Sequence, residues 1–268
     1  MSVVCAFAAS GSECRSLKRL MTIDDAADQS VDIITGKAGP NRIILVRTGM
    51  GPLKARSSAS LALGALGAQA SSLQSPFAAV LVFGLAGSLS PSVAEGDIIL
   101  YDRCLSADGH APVMCSPRLT GKLTQMLRAG DVPCREVTGI SGARIASTRL
   151  DKQRLAQLDA EAVDMESYEV VAEANRRGVP TVVLRAISDS FEREMPDFNR
   201  ALNSEGEFNP LALARVCASR PLASAALAAT SWRAMRGIKK ALDIIFSQGF
   251  PEERDTALPA QSRRVGSA

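Results

Sequence analysis

The sequence is poor in the side chains that bind metals or form nucleophile–base pairs. It has one histidine, His110, and six scattered cysteines without a C-x-x-C motif. This usage argues against a zinc site and is typical of buried or reduced thiols in a cytoplasmic protein. A Ser–His–Asp triad would have to use His110, which lies in a polar stretch and is not accompanied by a G-x-S-x-G motif. We therefore expect neither a metal ion nor such a triad.

Long apolar runs and a strong charge imbalance are also missing. No apolar stretch approaches the roughly 18 residues that identify a membrane-spanning helix. The first ten residues lack the positively charged lead of a secretory signal. A net charge of +3 is too small to indicate a nucleic-acid partner. With 268 residues, of which 46% are hydrophobic and 22% charged, the chain can form one large α/β domain or two small ones.

The most informative stretch covers residues 162–190. It starts with a short extended run and passes at Glu166 into an amphipathic helical pattern, which Gly178 and Pro180 end. Residues 181–187 then form a β-branched apolar run that predicts a buried strand, and the run leads into Ser188 and Asp189. Open α/β sheets bind ligands at the carboxyl ends of their strands. Glu166 and Asp189 are therefore candidate site residues.

Ordinary structural roles for the same two acids stay open at this point. An aspartate at the end of a strand is often the N-cap of the next segment. A glutamate in a first helical turn can simply complement the helix dipole. Spacing alone does not decide between these roles and catalysis.

The preceding part of the chain alternates strands and helices. Strands are predicted at residues 3–8, 32–35, 42–46, 79–83 and 134–139, and the second and third are joined by a turn at residues 36–40. Helical patterns follow at Glu13, after the Gly49–Met50–Gly51 turn, around residues 119–127 and at residues 152–158. The glycine-rich residues 84–89 predict a turn at the end of the central strand, where backbone can approach a ligand closely.

Two apolar helical patterns, residues 210–219 and 222–246, form a C-terminal extension over residues 209–250. The second has an apolar side and a basic side, so it can pack on its own sheet, rest on a membrane surface or cover an apolar substrate tunnel. We expect one domain over residues 1–250, followed by a disordered tail over residues 251–268.

Residues 163–167 and 183–189 have the sequences V-D-M-E-S and V-L-R-A-I-S-D. These two motifs resemble those of the nucleoside phosphorylase and nucleosidase family. The family pattern is V-E-M-E, a helix, and then R-x-I-S-D. Residues 84–98 resemble its G-x-A-G-x-L-x-P…G-D-I block. The resemblance covers residues 3–190 and implies a single three-layer α/β/α domain, with a mixed, mostly parallel central sheet.

The resemblance also implies roles for individual residues. Asp189 would protonate or hydrogen-bond the purine N7, which requires a protonated carboxyl group near neutral pH. Glu166 would bind the ribose hydroxyls and stabilise the positively charged sugar. Glu13 would activate water, and the alternative for Glu13 is a solvated acid in the first turn of a helix. Met165 would pack against the ribose. The remaining predicted substrate-binding residues are Gly84, Leu85, Ala86, Gly87, Ser141, Ile145 and Ser188.

Three departures from the family pattern bear on the reaction. Phosphorolytic relatives hold phosphate with an arginine and a serine, and this chain has Val82 and Leu85 in their places. Phe7 stands where a glycine is usual. No cofactor is expected. Phosphate stays open as a co-substrate, which would then need donors such as Arg47, Ser88 or main-chain amides.

The V-D-M-E-S motif, the F-G-L-A-G stretch and the apolar C-terminus look most like the hopanoid-associated phosphorylase branch of the family. That branch removes adenine from adenosylhopane. The resemblance implies a small-molecule or lipid-linked adenine nucleoside as ligand, a homo-oligomer such as a dimer, and a peripheral membrane contact through the C-terminal helix. Three alternatives stay open: a methylthioadenosine/adenosylhomocysteine nucleosidase, a purine nucleoside phosphorylase, and a protein that binds nucleosides or lipids without catalysis.

Overall fold

The computed structural model describes residues 2–24, 32–72, 77–203 and 207–253. The strands are β1 Val3–Ala8, β2 Thr22–Ile23, β3 Ile33–Ala38, β4 Asn41–Arg47, β5 Phe77–Ser88, β6 Ile98–Ser106, β7 Val113–Met114, β8 Cys134–Ser141, β9 Ala162–Asp164 and β10 Thr181–Asp189. The helices are α1 Gly11–Lys18, α2 Pro52–Ser72, α3 Pro117–Ala129, α4 Arg149–Ala156, α5 Ser167–Arg176, α6 Pro210–Ser219 and α7 Pro221–Gln248. A short 3-10 helix covers Phe198–Ala201.

All of these strands belong to one mixed sheet, as predicted. Strands β5, β1, β4, β3 and β2 follow one another in that order, with β1 parallel to both of its neighbours. On the other side of β5 the strands close on themselves, because β10 pairs with both β5 and β6 while β6 leads through β8 and β9 back to β5. This ring brings the ends of β5, β9 and β10 close together.

Helices cover the sheet on both sides and complete the predicted three layers. Alanines and valines of α2 and α5, including Ala59 and Val170, pack with Val80 and Val183 on one side. On the other side α1, α3 and α7 pack with alternate residues of the same strands, such as Leu81. Successive residues of a strand point to opposite faces, so an apolar run such as residues 181–187 serves both cores at once.

Two predicted turns are shorter in the structure, because most of residues 84–89 and the first three of residues 36–40 belong to strands, while residues 39 and 40 form the turn between β3 and β4. The glycine-rich residues 84–89 predict a turn, but β5 continues through Ser88 because β10 pairs with it from Val80 to Gly87 and β9 pairs with Gly87 and Ser88. Likewise β3 continues to Ala38, since Gly36 pairs with Ile43 of β4. Ladder hydrogen bonds made by the neighbouring strands override the local turn preference in both places.

The C-terminal helices behave differently from each other. The second half of α7 packs on the sheet through Ile238, Leu242 and Ile245, which are fully buried. Helix α6 buries none of its residues. No described helix is by itself long and apolar enough to cross a membrane. Helices α6 and α7 together have the length and composition for a span, but they are bent by 111° where they meet. Most of the predicted tail, residues 254–268, lies outside the described residues.

Candidate active site

A cavity of about 400 Å³ opens where β5, β9 and β10 end. Its wall contains the three acids that the sequence singled out, Glu13, Glu166 and Asp189. All three are at least nine-tenths buried. The chain therefore gathers at one place carboxyl groups from helix α1, from the junction of β9 and α5, and from the end of β10.

Glu166 occupies the N-cap position of α5, but its side chain does not cap that helix. Its Oε1 accepts a hydrogen bond from the backbone N–H of Gly51 at 2.9 Å. Asp164 does the local capping instead, because its Oδ1 accepts from the backbone N–H groups of Glu166 and Ser167. The Gly49–Met50–Gly51 turn thus supplies a donor to the site, and the carboxyl group of Glu166 is left facing the cavity.

A buried ion-pair network stands behind Glu166. The Arg185 guanidinium lies 3.3 Å from Asp164 Oδ2 and 3.8 Å from Glu166 Oε2, and it donates to Ser167 Oγ at 2.8 Å. Burial by itself would raise the pKa of Asp164, but Arg185 and the hydroxyl groups of Ser141 and Ser167 outweigh it and hold that pKa below its ordinary value. Asp164 is therefore ionised and fixes Arg185.

The pKa of Glu166 moves in the opposite direction. Burial raises it to about 7, and Asp164 adds to the rise, although Arg185 and the Gly51 N–H act against it. The pKa values of two neighbouring carboxyl groups in one network are thus shifted in opposite directions, because Asp164 receives the short hydrogen bonds and Glu166 does not. Near neutral pH Glu166 can exist in either protonation state.

Asp189 is paired with a cation that the sequence analysis missed. Lys152 of α4 lies with Nζ 2.5 Å from Asp189 Oδ2, and both side chains are buried. Ser188 Oγ donates to Asp189 Oδ1 at 2.7 Å. A Cβ atom on Gly87 would lie 3.0 Å from Asp189 Oδ2, so glycine at that position leaves room for the carboxyl group against β5.

Glu13 has a structural role and also faces the cavity. Its Oε2 accepts from the backbone N–H and the hydroxyl group of Ser10, which completes a capping box on α1. Its Oε1 accepts from the backbone N–H of Leu85 at 2.8 Å. A carboxylate offers about four acceptor sites. Three are used, so one remains for a ligand or a water molecule.

The absence of a side chain at Gly84 leaves the space that the Glu13 carboxyl group occupies. A Cβ atom at residue 84 would lie 2.3 Å from Glu13 Oε1 and 2.7 Å from Arg185 Nη1. We expect Gly84→Ala to displace the Glu13 carboxyl group, to destabilise the fold by about 1–3 kcal/mol and to lower turnover. Urea denaturation and steady-state kinetics would measure both effects.

Gly121→Ala is the matched control, since residue 121 lies inside α3 and a Cβ atom there meets nothing within 4 Å. We expect it to leave turnover unchanged and to raise the free energy of unfolding by about 0.5–1 kcal/mol. Unchanged turnover and stability in Gly84→Ala would contradict the close approach of Glu13.

The profile of the family described as the Phosphorylase superfamily matches residues 4–219. The chain belongs to the phosphorylase superfamily. The predicted membership in this enzyme superfamily is thus confirmed, whereas the hopanoid-associated branch stays a prediction. A comparison with curated proteins finds no matching sequence.

Solved structures confirm the nucleoside phosphorylase type of fold for this superfamily member. The 5'-methylthioadenosine/S-adenosylhomocysteine nucleosidase of Neisseria meningitidis, in complex with methylthio-immucillin-A, is 16% identical with a TM-score of 0.69, over 93% of this chain and 100% of that one. The futalosine hydrolase of Helicobacter pylori is 18% identical with a TM-score of 0.66, over 90% of this chain and 97% of that one. At these identities the likeness concerns the fold.

The structure brings most of the other predicted site residues of this phosphorylase-superfamily chain to the cavity. The wall includes Met165, Leu85, Ala86, Gly87, Ile145 and Ser188. Gly84 and Ser141 are not part of it. Gly84 makes room for Glu13 and Arg185, while the Ser141 hydroxyl group donates to Asp164 at 2.6 Å and accepts from the Tyr168 N–H at 2.9 Å. Neither is available to a ligand, because Glu13 and Arg185 fill the space beside Gly84 and the hydroxyl group of Ser141 is already hydrogen-bonded.

The cavity wall also has an apolar part whose residues the sequence analysis did not name. It is formed by Met195, Phe198, Phe208, Leu213 and Leu227. These residues come from the irregular segment after β10 and from α6 and α7, where no motif marks them. The one available signal was the pair of apolar helical patterns at the C-terminus.

The predicted phosphate donors lie elsewhere. Arg47 pairs with Asp32 at 2.7 Å and lines a separate, larger groove of about 1390 Å³ that adjoins the cavity. The Ser88 hydroxyl group is buried and donates to the Ser90 carbonyl at 2.8 Å. Among the described residues, Arg144 is the one cation in the wall of the smaller cavity. Neither Arg47 nor Ser88 belongs to that wall.

Proposed function

We propose that this chain hydrolyses the N-glycosidic bond of a purine nucleoside and releases the base. The observation that carries the proposal is the convergence of Glu13, Glu166 and Asp189 on one buried cavity. The superfamily contains enzymes that cleave such bonds, and the two solved relatives described above are named as a nucleosidase and a hydrolase.

The three carboxyl groups match the charges that develop in the reaction. Breaking the bond builds positive charge on the ribose and negative charge on the purine. A carboxylate stabilises the positively charged sugar, as in glycoside hydrolysis, and we assign this role to Glu166. Asp189 protonates the purine N7 as a general acid. The free acceptor site of Glu13 orients the attacking water molecule.

Hydrolysis is favoured over phosphorolysis by the composition of the wall. A phosphate ion needs several donors or cations, and of the described cations Arg144 alone reaches the cavity, at its exposed edge. Val82, which stands at the position of the family's phosphate-binding arginine, is buried in the core against α2 and α5. Glu13 would also repel an anion held beside it.

The apolar side of the cavity supports a lipid-linked adenine nucleoside such as adenosylhopane as the substrate. Phe198, Phe208, Leu213 and Leu227 line the same cavity as the acids and would shield an extended hydrocarbon group attached to the ribose. Leu213 and Leu227 belong to α6 and α7, so the apolar wall continues into helices whose outer sides are exposed. A place in hopanoid biosynthesis follows from that substrate.

The exposed part of these helices suits an anionic lipid surface. Leu211, Leu222 and Trp232 are 73%, 86% and 62% exposed. Residues 210–236 contain four arginines and no acidic residue. Apolar side chains mixed with basic ones are typical of helices that lie at a lipid interface. If a second copy of the chain were placed symmetrically on this surface, the arginines of the two copies would repel each other. The charge of this surface therefore favours binding to an anionic lipid over dimerisation through it.

Adenine release tests the reaction and the substrate together. We expect release from adenosylhopane, with a rate that does not depend on phosphate. Phosphate-dependent release would make the enzyme a phosphorylase. Release from methylthioadenosine alone would make it a nucleosidase of small thio-nucleosides. Binding of both compounds without release would contradict the enzymatic proposal and indicate a nucleoside-binding protein.

Vesicle binding tests the lipid surface. We expect Trp232→Glu and Leu222→Glu each to weaken binding to phosphatidylglycerol vesicles about tenfold, since one exposed apolar side chain contributes about 1.5 kcal/mol or more when it leaves water. Leu61→Glu on α2, where Leu61 is 63% exposed, is the matched control and should bind as the parent does. Sedimentation with the vesicles would measure binding, and equal binding by all variants would contradict the surface.

Oligomeric state and location remain predictions. A homodimer would show as twice the chain mass in light scattering. The cytoplasmic location, with or without membrane contact, is testable by fractionation of cells that express the protein.

A further inference from the structure

Lys152 is a buried basic residue beside Asp189 for which the proposed reaction gives no role. Lys152 is fully buried and is the one residue of α4 that is buried. Taking an ammonium group out of water is costly unless it is paired and hydrogen-bonded. A lysine held in this way next to a proposed general acid calls for a physical reason.

Three oxygen atoms surround the Lys152 ammonium group. Asp189 Oδ2 and the Ser190 carbonyl oxygen lie 2.5 Å from Nζ, and the Arg193 carbonyl oxygen lies at 3.2 Å. An ammonium group has three protons to donate. Each proton of an ammonium group at this position therefore has an acceptor.

Asp189, by contrast, accepts hydrogen bonds through both of its carboxyl oxygen atoms. Its Oδ2 accepts from Lys152 and its Oδ1 accepts from Ser188 Oγ. Both oxygen atoms of Asp189 thus already have a donor beside them, whereas donation to the purine N7 requires a proton on the carboxyl group. The nearest donor atom to Asp189 is Lys152 Nζ, 2.5 Å from Oδ2.

We propose that Lys152 is a positioning residue that supplies Asp189 with the proton passed to the purine. This inference rests on the proposed function, because it assigns the source of a proton used in that reaction. The buried pair can exchange its ammonium–carboxylate form for an amine–carboxylic acid form, which burial penalises less. Lys152 does not touch the purine and acts through Asp189.

The proton and electron balance of the step is simple. A proton moves from Lys152 Nζ to the Asp189 carboxyl group and from there to N7. The bond between C1′ and the purine breaks, and its electron pair stays on the base. Water adds its oxygen to C1′ and loses one proton, which balances the proton gained by the purine. Lys152 remains a neutral amine until solvent returns its proton after release of the base.

The other charged groups near the pair have partners of their own. Glu95 accepts from the Ser190 N–H at 3.1 Å and pairs with Arg193 at 2.8 Å. Glu192 pairs with Arg149 at the surface at 2.9 Å. Among the described residues, Asp189 is the acid in contact with Lys152.

Two substitutions separate proton supply from charge. Lys152→Arg keeps a positive charge that arginine does not release as a proton, and Lys152→Met removes the charge at similar length. We expect each to lower kcat at pH 8 about 100-fold, with a smaller loss for Lys152→Met at pH 6, where solvent supplies protons more readily. Near-normal kcat in Lys152→Arg would overturn proton supply, because a fixed charge would then suffice.

A double-mutant comparison separates action through Asp189 from a general structural effect. Lys152→Met combined with Asp189→Asn should be no slower than Asp189→Asn alone, whereas a structural effect would add to it. Arg149→Met is the control, since Arg149 ties α4 to the same loop through Glu192 without reaching Asp189. We expect its kcat and pH profile to match those of the parent.

The outcomes also separate this inference from the proposed function. A parent enzyme that releases no base from any purine nucleoside would remove the proposed function itself. An active parent whose folded Lys152 variants keep its kcat and pH profile would overturn the inference alone. If Lys152→Met does not fold, as judged by circular dichroism, Lys152→Arg decides the question.

Discussion

Asp189→Asn is expected to lower kcat for base release about 1000-fold while the protein stays folded, because the amide cannot deliver a proton to the purine N7. The asparagine oxygen can still accept a hydrogen bond from Lys152, but the buried ammonium group loses its counter-charge, so we expect a folded protein with a lower free energy of unfolding. Single-turnover measurement of free adenine, together with circular dichroism, would test both parts of the expectation.

Asp159→Asn is the matched control for that substitution. Asp159 is exposed and has a φ of +59°, a conformation that asparagine adopts as readily as aspartate. Its kcat should equal that of the parent. Near-normal kcat in a folded Asp189→Asn protein would remove Asp189 from the role of general acid.

Glu166→Gln is expected to lower kcat about 100-fold and to change the pH dependence of the reaction. A neutral amide does not stabilise the positively charged ribose, and losing one such electrostatic contact costs about this much. Because the pKa of Glu166 is raised to about 7, the parent should gain activity as the pH rises through about 7, when the carboxylate forms. The variant should lack this rise. A parent kcat/KM that is flat between pH 6 and 8 would contradict the assignment.

The same raised pKa predicts an effect on stability with a definite sign. In the unfolded chain Glu166 loses its proton near its ordinary pKa of 4.5, whereas in the folded chain it keeps the proton up to about 7. The folded state therefore loses stability as the pH rises from 4.5 to about 7, by about 3 kcal/mol at about 1.4 kcal/mol for each tenfold change in the dissociation constant.

Glu166→Gln should thus have a higher free energy of unfolding than the parent at pH 8, by up to about 3 kcal/mol. Near pH 4 the two proteins should be alike, since the native side chain is then neutral in both states. Urea denaturation at the two pH values measures the difference. A variant that is less stable than the parent at pH 8 would indicate that Glu166 is a structural residue.

Much of the fold was predictable because it depends on patterns within short segments. The apolar run at residues 181–187 predicts a buried strand, and β10 is that strand. The glycine and proline after residue 177 end α5 as predicted. The V-D-M-E-S and R-A-I-S-D motifs predict the superfamily, and the match of the family profile to residues 4–219 confirms it.

Predictions failed or stayed open where neighbours distant in sequence decide the outcome. Residues 84–89 have the glycines of a turn, yet β9 and β10 hold most of them in a strand. The amphipathic pattern of α7 was compatible with packing on the sheet, membrane contact or covering a tunnel. In the structure the two halves of α7 have different surroundings. Its second half packs on the sheet, while its first half, with Leu227 at the cavity, remains exposed around Leu222.

The sequence by itself determined that acids stand at two junctions between strand and helix and at the end of a buried strand. Only the tertiary structure decided their chemistry. Lys152 meets Asp189 across 37 positions of the chain, and the Gly51 N–H meets Glu166 across 115. Charge state follows from burial and from such partners, which arise when separate segments pack together. For that reason no local pattern could distinguish the ionised Asp164 from Glu166, whose pKa is about 7.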